Sequence, residues 1–188
     1  SALTSITIPA NVDTIGAAIF AGCDNLSSVV VDANNAKYDS RDSCNAIIET
    51  ATNTLIAASP VTTIPSTVKT IGYGAMAILP YDTIHIPEGV VSIGEYAFSS
   101  CTSLTSVKLP EGTTKIKSSF FSNCTSLKSI YIPSSVTTIA VDAFKNVPLE
   151  EIIVSPDNPN YMAIDNYLYT KDGTTLIKAP SNVTEIVL

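Results

Sequence analysis

Few residues in this chain have types and spacings that could support catalysis. His85 is the only histidine, and Ser106 and Ser129 occupy repeat positions that share its face. A serine nucleophile needs an imidazole base, a carboxylate that orients the imidazole, and donors that stabilise an oxyanion. The sequence places no aspartate where it could orient His85 and offers no evident oxyanion donors. We therefore predict that the protein is not an enzyme, and a catalytic Ser/His pair is the weaker alternative.

Metal binding is also weakly indicated. Asp157, Asp165 and Asp172 lie near one another in the sequence, but they lack the alternating oxygen ligands and the final glutamate of a calcium loop. Asx-turns and a tight turn at Asp172 and Gly173 explain these residues without a ligand. A structural calcium ion stays an open alternative. We expect no metal site and no cofactor.

Three cysteines recur at one position of a repeating pattern. Cys23, Cys101 and Cys124 each follow a phenylalanine by three residues. A position that recurs beside phenylalanine indicates inward packing, where a free cysteine behaves as a small apolar side chain. We expect buried thiols, although stacked neighbours could in principle form a disulfide. Together with Cys44, the cysteines match no zinc or redox spacing.

These side chains must be positioned by a repeat of 23 residues. At this offset Leu104 aligns with Leu127, and Phe121 aligns with Phe144. A fixed period between about 20 and 50 residues predicts a solenoid, in which each coil buries its apolar face against its neighbours. The 188 residues correspond to about eight such coils. We predict a single domain over residues 1–188, without a linker.

The pattern within each coil predicts its elements. Each coil should contribute one strand to a parallel sheet on one face, with strands about 4.8 Å apart and a right-handed path. A second short strand and a helical turn should follow, as in residues 17–23. Two segments, at about 34–60 and 155–180, interrupt the repeat and indicate β-hairpin insertions. The expected fold class is therefore an α/β solenoid with two hairpin insertions.

Charge and hydropathy exclude several partners. The formal net charge is −7, and the ten lysine and arginine residues are scattered. Phosphate backbones and anionic membrane surfaces need clustered basic residues, so we expect no nucleic-acid binding. No apolar run reaches the length of about 18 residues that spans a membrane, so we expect no membrane insertion. We expect the chain to be a fragment of a longer protein, from which a signal and an anchor are missing.

A column of side chains should face outward from the parallel sheet. In a strand of pattern L-x-x-I-x-I, the residue between the two isoleucines points to solvent. The outward column contains Thr7, Val30, Thr63, His85, Lys108, Tyr131 and Ile153. A second column beside it contains Ser5, Ser28, Val61, Thr83, Ser106, Ser129 and Glu151. We predict binding residues among these columns: His85, Lys108, Tyr131, Thr63 and Glu151. The alternative is an ordinary solvated sheet face.

The pattern L-x-x-I-x-I-P-x-x-V-x-x-I-G-x-x-A-F-x-x-C, carried most fully by residues 81–101 and 104–124, resembles the BspA-type leucine-rich repeat family. The interrupting segments 42–56 and 164–177 resemble that family too. Thr62 departs from the pattern at an inward strand position. The resemblance implies a leucine-rich-repeat solenoid from a secreted or surface-anchored bacterial protein. It also implies adhesion to host matrix proteins, to other cells or between bacteria, and it carries no known catalytic residues.

The sequence thus favours a rigid, non-enzymatic module that binds a host or bacterial surface protein at the cell surface or after secretion. A carbohydrate-binding module of a nutrient-capture system is the alternative, with Tyr131, Tyr167 and Tyr169 as platforms for a glycan. A structural spacer is a third possibility.

Overall fold

Short β-strands recur along the chain and stack in parallel. The computed structural model describes residues 1–183, and its architecture is a β-solenoid of about seven turns. The strands are, in chain order, β1 Ser5–Ile8, β2 Ser28–Val31, β3 Tyr38–Asp39, β4 Ala46–Glu49, β5 Thr54–Ala58, β6 Thr70–Ile71, β7 Thr83–Ile84, β8 Ser92–Ile93, β9 Ser106–Val107, β10 Lys115–Ile116, β11 Ser129–Ile132, β12 Thr138–Ile139, β13 Glu151–Val154, β14 Tyr161–Ile164, β15 Tyr167–Thr170 and β16 Leu176–Lys178.

Parallel pairing follows the period of the sequence. On the first face, β1 pairs with β2, β7 with β9 and β11 with β13, and Thr83 lies opposite Ser106. On the second face, β6 pairs with β8 and β10 with β12. Most partners are 23 residues apart, whereas Ser129 lies opposite Glu151 at an offset of 22. The predicted stacking of successive coils is therefore confirmed.

The expected helical turns are not found. Within residues 1–183 the only helical segment is a 3-10 turn at Arg41–Ser43. The turn segments instead bond across coils: Phe98 N–H donates to the Phe120 carbonyl, at 3.1 Å, and Phe121 N–H donates to the Ala143 carbonyl, at 3.0 Å. Since these N–H groups are used between coils, they cannot form the ladder of an α-helix. The α/β character is not confirmed, and the fold is a β-solenoid.

The two interruptions of the repeat contain antiparallel strands. In the first, β4 pairs with β3 and β5, and β5 also continues in parallel with β6 of the second face. In the second, β15 pairs with both β14 and β16. Leu168 of β15 is fully buried in the main core. The expected description as two hairpin insertions is not confirmed, because these strands belong to the walls of the solenoid.

The strands β4 and β5 separate two clusters of buried side chains. Ile47 and Ala57 face a smaller cluster that includes Phe20 and Leu26. Their neighbours on the opposite side of these strands, such as Leu55, join the main core. The first interruption therefore forms an internal partition of the fold.

A ladder of aromatic rings runs through the main core. Phe98, Phe121 and Phe144 lie in successive coils, with ring centroids 5.5 Å and 6.1 Å apart and interplanar angles of 14° and 9°. Leu104 and Leu127 are both fully buried. Each such side chain contributes about 1.5–3 kcal/mol through removal from water. The repeat is thus held together by identical residues that stack on one another.

The cysteines are free thiols. Cys44, Cys101 and Cys124 are buried, as expected, and Cys23 is partly exposed. The Cys101 thiol donates to the Met76 carbonyl, and the Cys124 thiol to the Phe98 carbonyl, both at 3.1 Å. Burial raises the pKa of Cys101 to about 11 and that of Cys124 to about 12. These two thiols therefore stay protonated at neutral pH.

An asparagine fastens each interruption to the preceding coil. Asn158 is buried, and its amide nitrogen donates to the carbonyls of Pro133, at 2.7 Å, and Val136, at 3.1 Å. Its amide oxygen accepts the N–H groups of Asn160 and Tyr161, both at 2.8 Å. Asn35 makes the corresponding bonds to Pro9, Val12, Lys37 and Tyr38.

Candidate binding surface

Consecutive rungs of the first sheet carry part of the outward column. Lys108 forms a bridge with Tyr131, and Tyr131 lies opposite Ile153. Because Ile84 lies opposite Val107, the register places His85 beside Lys108. Lys108, His85 and Ile153 are exposed, and Tyr131 is half-buried. The structure thus brings three of the five candidate residues, His85, Lys108 and Tyr131, onto adjacent rungs, where no ligand has yet tested them.

The Lys108 ammonium is paired with a residue that the sequence analysis missed. Its Nζ lies 3.1 Å from Oε1 of Glu88. The other oxygen of Glu88 accepts the Glu111 N–H at 3.2 Å. The hydrogen bond from Lys108 lowers the pKa of Glu88, and the same bond raises the pKa of Lys108. Exposed pairs add little stability, so the main effect is to fix the position of the lysine head group. Glu88 could have been found from its place just after the strand of the preceding coil.

Thr63 and Glu151 lie apart from these rungs. Thr63 is exposed but belongs to no strand, and its N–H donates to the Cys44 carbonyl at 3.2 Å. Glu151 is exposed in β13 and lies in the second column, opposite Ser129. Its neighbour Glu150, not Glu151, pairs with Lys128 at 2.6 Å. The five predicted residues therefore do not form one compact cluster.

A groove opens on this face between residues 60–64 and 83–85. Its volume is about 290 Å³, and it is lined by Thr63, His85, Ile64, Ile84 and the buried Met76, among others. Thr63 and His85 lie on its rim, and apolar side chains form its floor. This groove was not predicted from the sequence, although the departure at Thr62 marks its position.

Two polar substitutions in the third coil explain the groove. Ser59 and Thr62 occupy places that hold leucine and isoleucine in other coils. Thr62 Oγ1 accepts the Ser59 N–H at 2.7 Å and donates to the Asn45 carbonyl at 2.8 Å, so the segment turns instead of extending. The Tyr81 hydroxyl donates to the Ser59 carbonyl. Burial raises the pKa of Tyr81 to about 12, so the hydroxyl remains a donor at neutral pH.

The predicted alternatives of catalysis and metal binding gain no support. Within residues 1–183 no group of three histidine, cysteine, aspartate or glutamate side chains could hold a metal ion. Asp172 Oδ1 accepts hydrogen bonds from Thr170 Oγ1, at 2.6 Å, and from the Thr174 N–H, at 3.0 Å, which lower its pKa. This carboxylate is therefore used inside its turn. No helix in the described part of the chain is both long enough and apolar enough to cross a membrane.

A family model for the BspA type leucine rich repeat region matches residues 1–53 and 59–172 in six copies. The chain belongs to this family. Its period, its stacked strands and its phenylalanine ladder are the physical basis of that match. The region outside the match, residues 54–58, corresponds to β5, the internal partition of this BspA-type solenoid.

Solved structures similar to this BspA-type chain come from bacteria. A leucine rich cell surface protein from Faecalibacterium prausnitzii is 35% identical, with a TM-score of 0.68, over 80% of this chain and 41% of that protein. A leucine-rich repeat protein from Bacteroides ovatus is 29% identical, with a TM-score of 0.55, over 82% of this chain and 38% of that protein. The pneumococcal vaccine antigen PcpA, at 21% identity over 84% of this chain and 40% of that protein, shares the fold, with a TM-score of 0.64.

The chain spans about two fifths of the length of these three proteins. A search of curated proteins found no match.

Proposed function

We propose that this BspA-type chain is a non-enzymatic module that binds another protein at the bacterial surface or after secretion. The observation that carries the proposal is the register of the first sheet, which holds Lys108, Tyr131 and Ile153 on successive rungs. The family and the neighbour named a cell surface protein support the location. The proposed partners are host matrix proteins or proteins on other bacteria.

The mechanism is display by a preformed surface. The side chains of the outward column project from strands that are fixed by the buried ladder beneath them. Binding costs little ordering entropy when the contact residues are already in place. Tyr131 offers an apolar ring with a polar tip, and Ile153 offers exposed apolar surface, a combination that suits the centre of a protein interface. The Glu88–Lys108 pair adds a charged feature at the edge of the same patch.

Substitution of the column tests the proposal. A panel of matrix proteins and bacterial surface proteins is first screened for binding by biolayer interferometry. The triple variant H85A/K108A/Y131A should bind an identified partner at least about tenfold more weakly, as expected when a central contact is lost. The control is K115A/Y73A, two exposed residues away from the column, which should change affinity by less than about twofold. Unchanged binding by the triple variant, with normal folding, contradicts the proposal.

Glycan binding is a second candidate, favoured by one pair of rings. Tyr167 and Tyr169 lie with ring centroids 6.4 Å apart and planes inclined by 27°. Neighbouring aromatic rings with polar tips can pack against sugar faces while their hydroxyls bond to sugar hydroxyls. A glycan array probed with the native chain and with Y169A separates the two candidates. Binding to defined glycans that is lost in Y169A supports a carbohydrate module; an array without bound glycans removes this candidate.

A further inference from the structure

The sheet that carries the outward column is interrupted between β2 and β7. β2 pairs with β1, and β7 pairs with β9, whereas the third coil crosses this face as the turn at residues 59–62. Within the described part of the chain, no backbone hydrogen bond joins residues 59–64 to residues 82–87. The interruption therefore creates two strand edges in the interior of the solenoid face.

The edge on the β2 side is sealed by side chains. The Val29 N–H donates to Asn45 Oδ1 at 3.4 Å, and the Val31 N–H donates to Ser40 Oγ at 3.0 Å. The second interruption of the repeat uses the same device, since the Ile152 N–H donates to Asn166 Oδ1 at 3.4 Å. Proteins commonly protect exposed strand edges in this way because an open edge pairs with other chains.

The edge on the β7 side is open. The Asp82 carbonyl accepts the Thr105 N–H of the next coil at 2.9 Å. Because backbone groups alternate in direction along a strand, those of Thr83 and His85 point the opposite way, into the groove. The Thr83 N–H is occupied by Asp82 Oδ1 at 2.7 Å. No partner for the His85 N–H is found among residues 1–183. One edge of the interruption is thus capped, and the other is available.

The groove beside this edge fits a side chain better than a whole small molecule. Its volume of about 290 Å³ lies at the lower end of the range of roughly 300–1,000 Å³ for ligand pockets. Its floor is apolar, with Met76, Ile64 and Ile84, while Thr63 and His85 form a polar rim. An extended peptide along β7 would send alternate side chains into this space.

We propose that the open edge of β7 binds an extended segment of a partner polypeptide by β-strand addition, with one apolar side chain of that segment in the groove over Met76. This inference rests on the proposed protein-binding function and specifies the conformation of the bound partner. A row of backbone donors and acceptors is matched by another polypeptide backbone, and the pockets beside it select side chains.

The groove wall occurs once in the chain. In the first interrupted coil, six residues, Ser59 to Ile64, separate the sequence LIAA from the following Pro65. In the second, LIKA is followed directly by Pro180. The feature is therefore not a regular part of each interrupted coil, and the proposal concerns a single site.

Backbone chemistry at His85 provides the test. A phage-displayed library of random dodecapeptides is selected on the native chain, with counter-selection on H85P. Proline removes the N–H that β-strand addition needs, and proline is tolerated where a strand N–H is unpaired. H85A keeps the N–H and is the matched control. Selected peptides should bind H85A within about threefold of the native chain and bind H85P at least about tenfold more weakly.

Two further measurements keep the test valid if H85P folds poorly, which circular dichroism reports. N-methylation of each residue of a selected peptide in turn should abolish binding at alternate positions, because every second N–H of an added strand faces β7. Amide exchange at His85 should be fast in the free chain and slow in the complex.

Several results overturn the inference: no peptide enriched against H85P, equal affinity for H85P and the native chain, or no alternation in the N-methyl series. A dimer in sedimentation velocity that H85P abolishes also overturns it, since a second copy then occupies the edge. Loss of a protein partner in H85A/K108A/Y131A, measured separately, keeps the proposed function standing even where the edge proves unused.

Discussion

Replacement of Asn158 by alanine removes the four hydrogen bonds that fasten the second interruption to the preceding coil. The amide donates to the carbonyls of Pro133 and Val136 and accepts two N–H groups, all within 2.7–3.1 Å. Asn158 is only 1% exposed, so water cannot replace these bonds without local opening. A net loss of about 0.5–1.5 kcal/mol for each bond gives a total destabilisation of about 2–4 kcal/mol.

Asn35 is the matched control for this prediction because it makes the same four bonds at the other end of the solenoid. Asn35 is partly exposed, and water can reach several of its partners. We therefore expect N35A to cost only about 1 kcal/mol. The difference between the two variants isolates the effect of burial.

Urea unfolding followed by circular dichroism measures both variants. At about 2–4 °C per kcal/mol for a chain of this size, N158A should also lower the thermal midpoint by roughly 10 °C. An N158A cost below about 1 kcal/mol, or equal costs for the two variants, refutes the reasoning that burial gives these bonds their value.

Three further predictions concern the core. F121A removes the central ring of the phenylalanine ladder, which is fully buried, and should cost about 3–5 kcal/mol in urea unfolding; a cost below about 2 kcal/mol contradicts the ladder. T62V should destabilise the fold by about 1–3 kcal/mol through loss of the bonds to Ser59 and Asn45, whereas stabilisation would mean that the apolar repeat pattern decides this position. Burial raises the pKa of Cys101 to about 11 and of Cys124 to about 12 from an ordinary 9.0, so their contribution to stability is full below pH 9 and falls as the pH rises towards 12. Thiolate absorbance measured during an alkaline titration of the folded chain checks this, and titration of both thiols near pH 9 contradicts it.

The repeat could be predicted from the sequence because its signal is carried by buried side chains. Leu104 and Leu127, and the phenylalanines that follow them, recur at positions that only stacking explains. The helical turns were wrong because the pattern A-F-x-x-C also suits a helix face. The competing bonds, such as Phe98 N–H to the Phe120 carbonyl, connect neighbouring coils and have no local signature.

The candidate site was predictable only in part. The alternation of side chains along a strand placed Lys108, Tyr131 and Ile153 in one column, and the register agrees. The interruption of the sheet could not be foreseen, because it depends on hydrogen bonds of Thr62 and Asn45 that are distant in sequence. Glu88 was missed because its contact with Lys108 joins a loop to the strand of the next coil.

Hydrogen–deuterium exchange of the chain with an identified protein partner tests the central claim most directly. The account predicts protection at intervals of 23 residues, centred on His85, Lys108 and Tyr131, because the partner covers adjacent rungs of one face. Protection confined to the turn segments on the other side, such as residues 72–80 and 95–101, would contradict it.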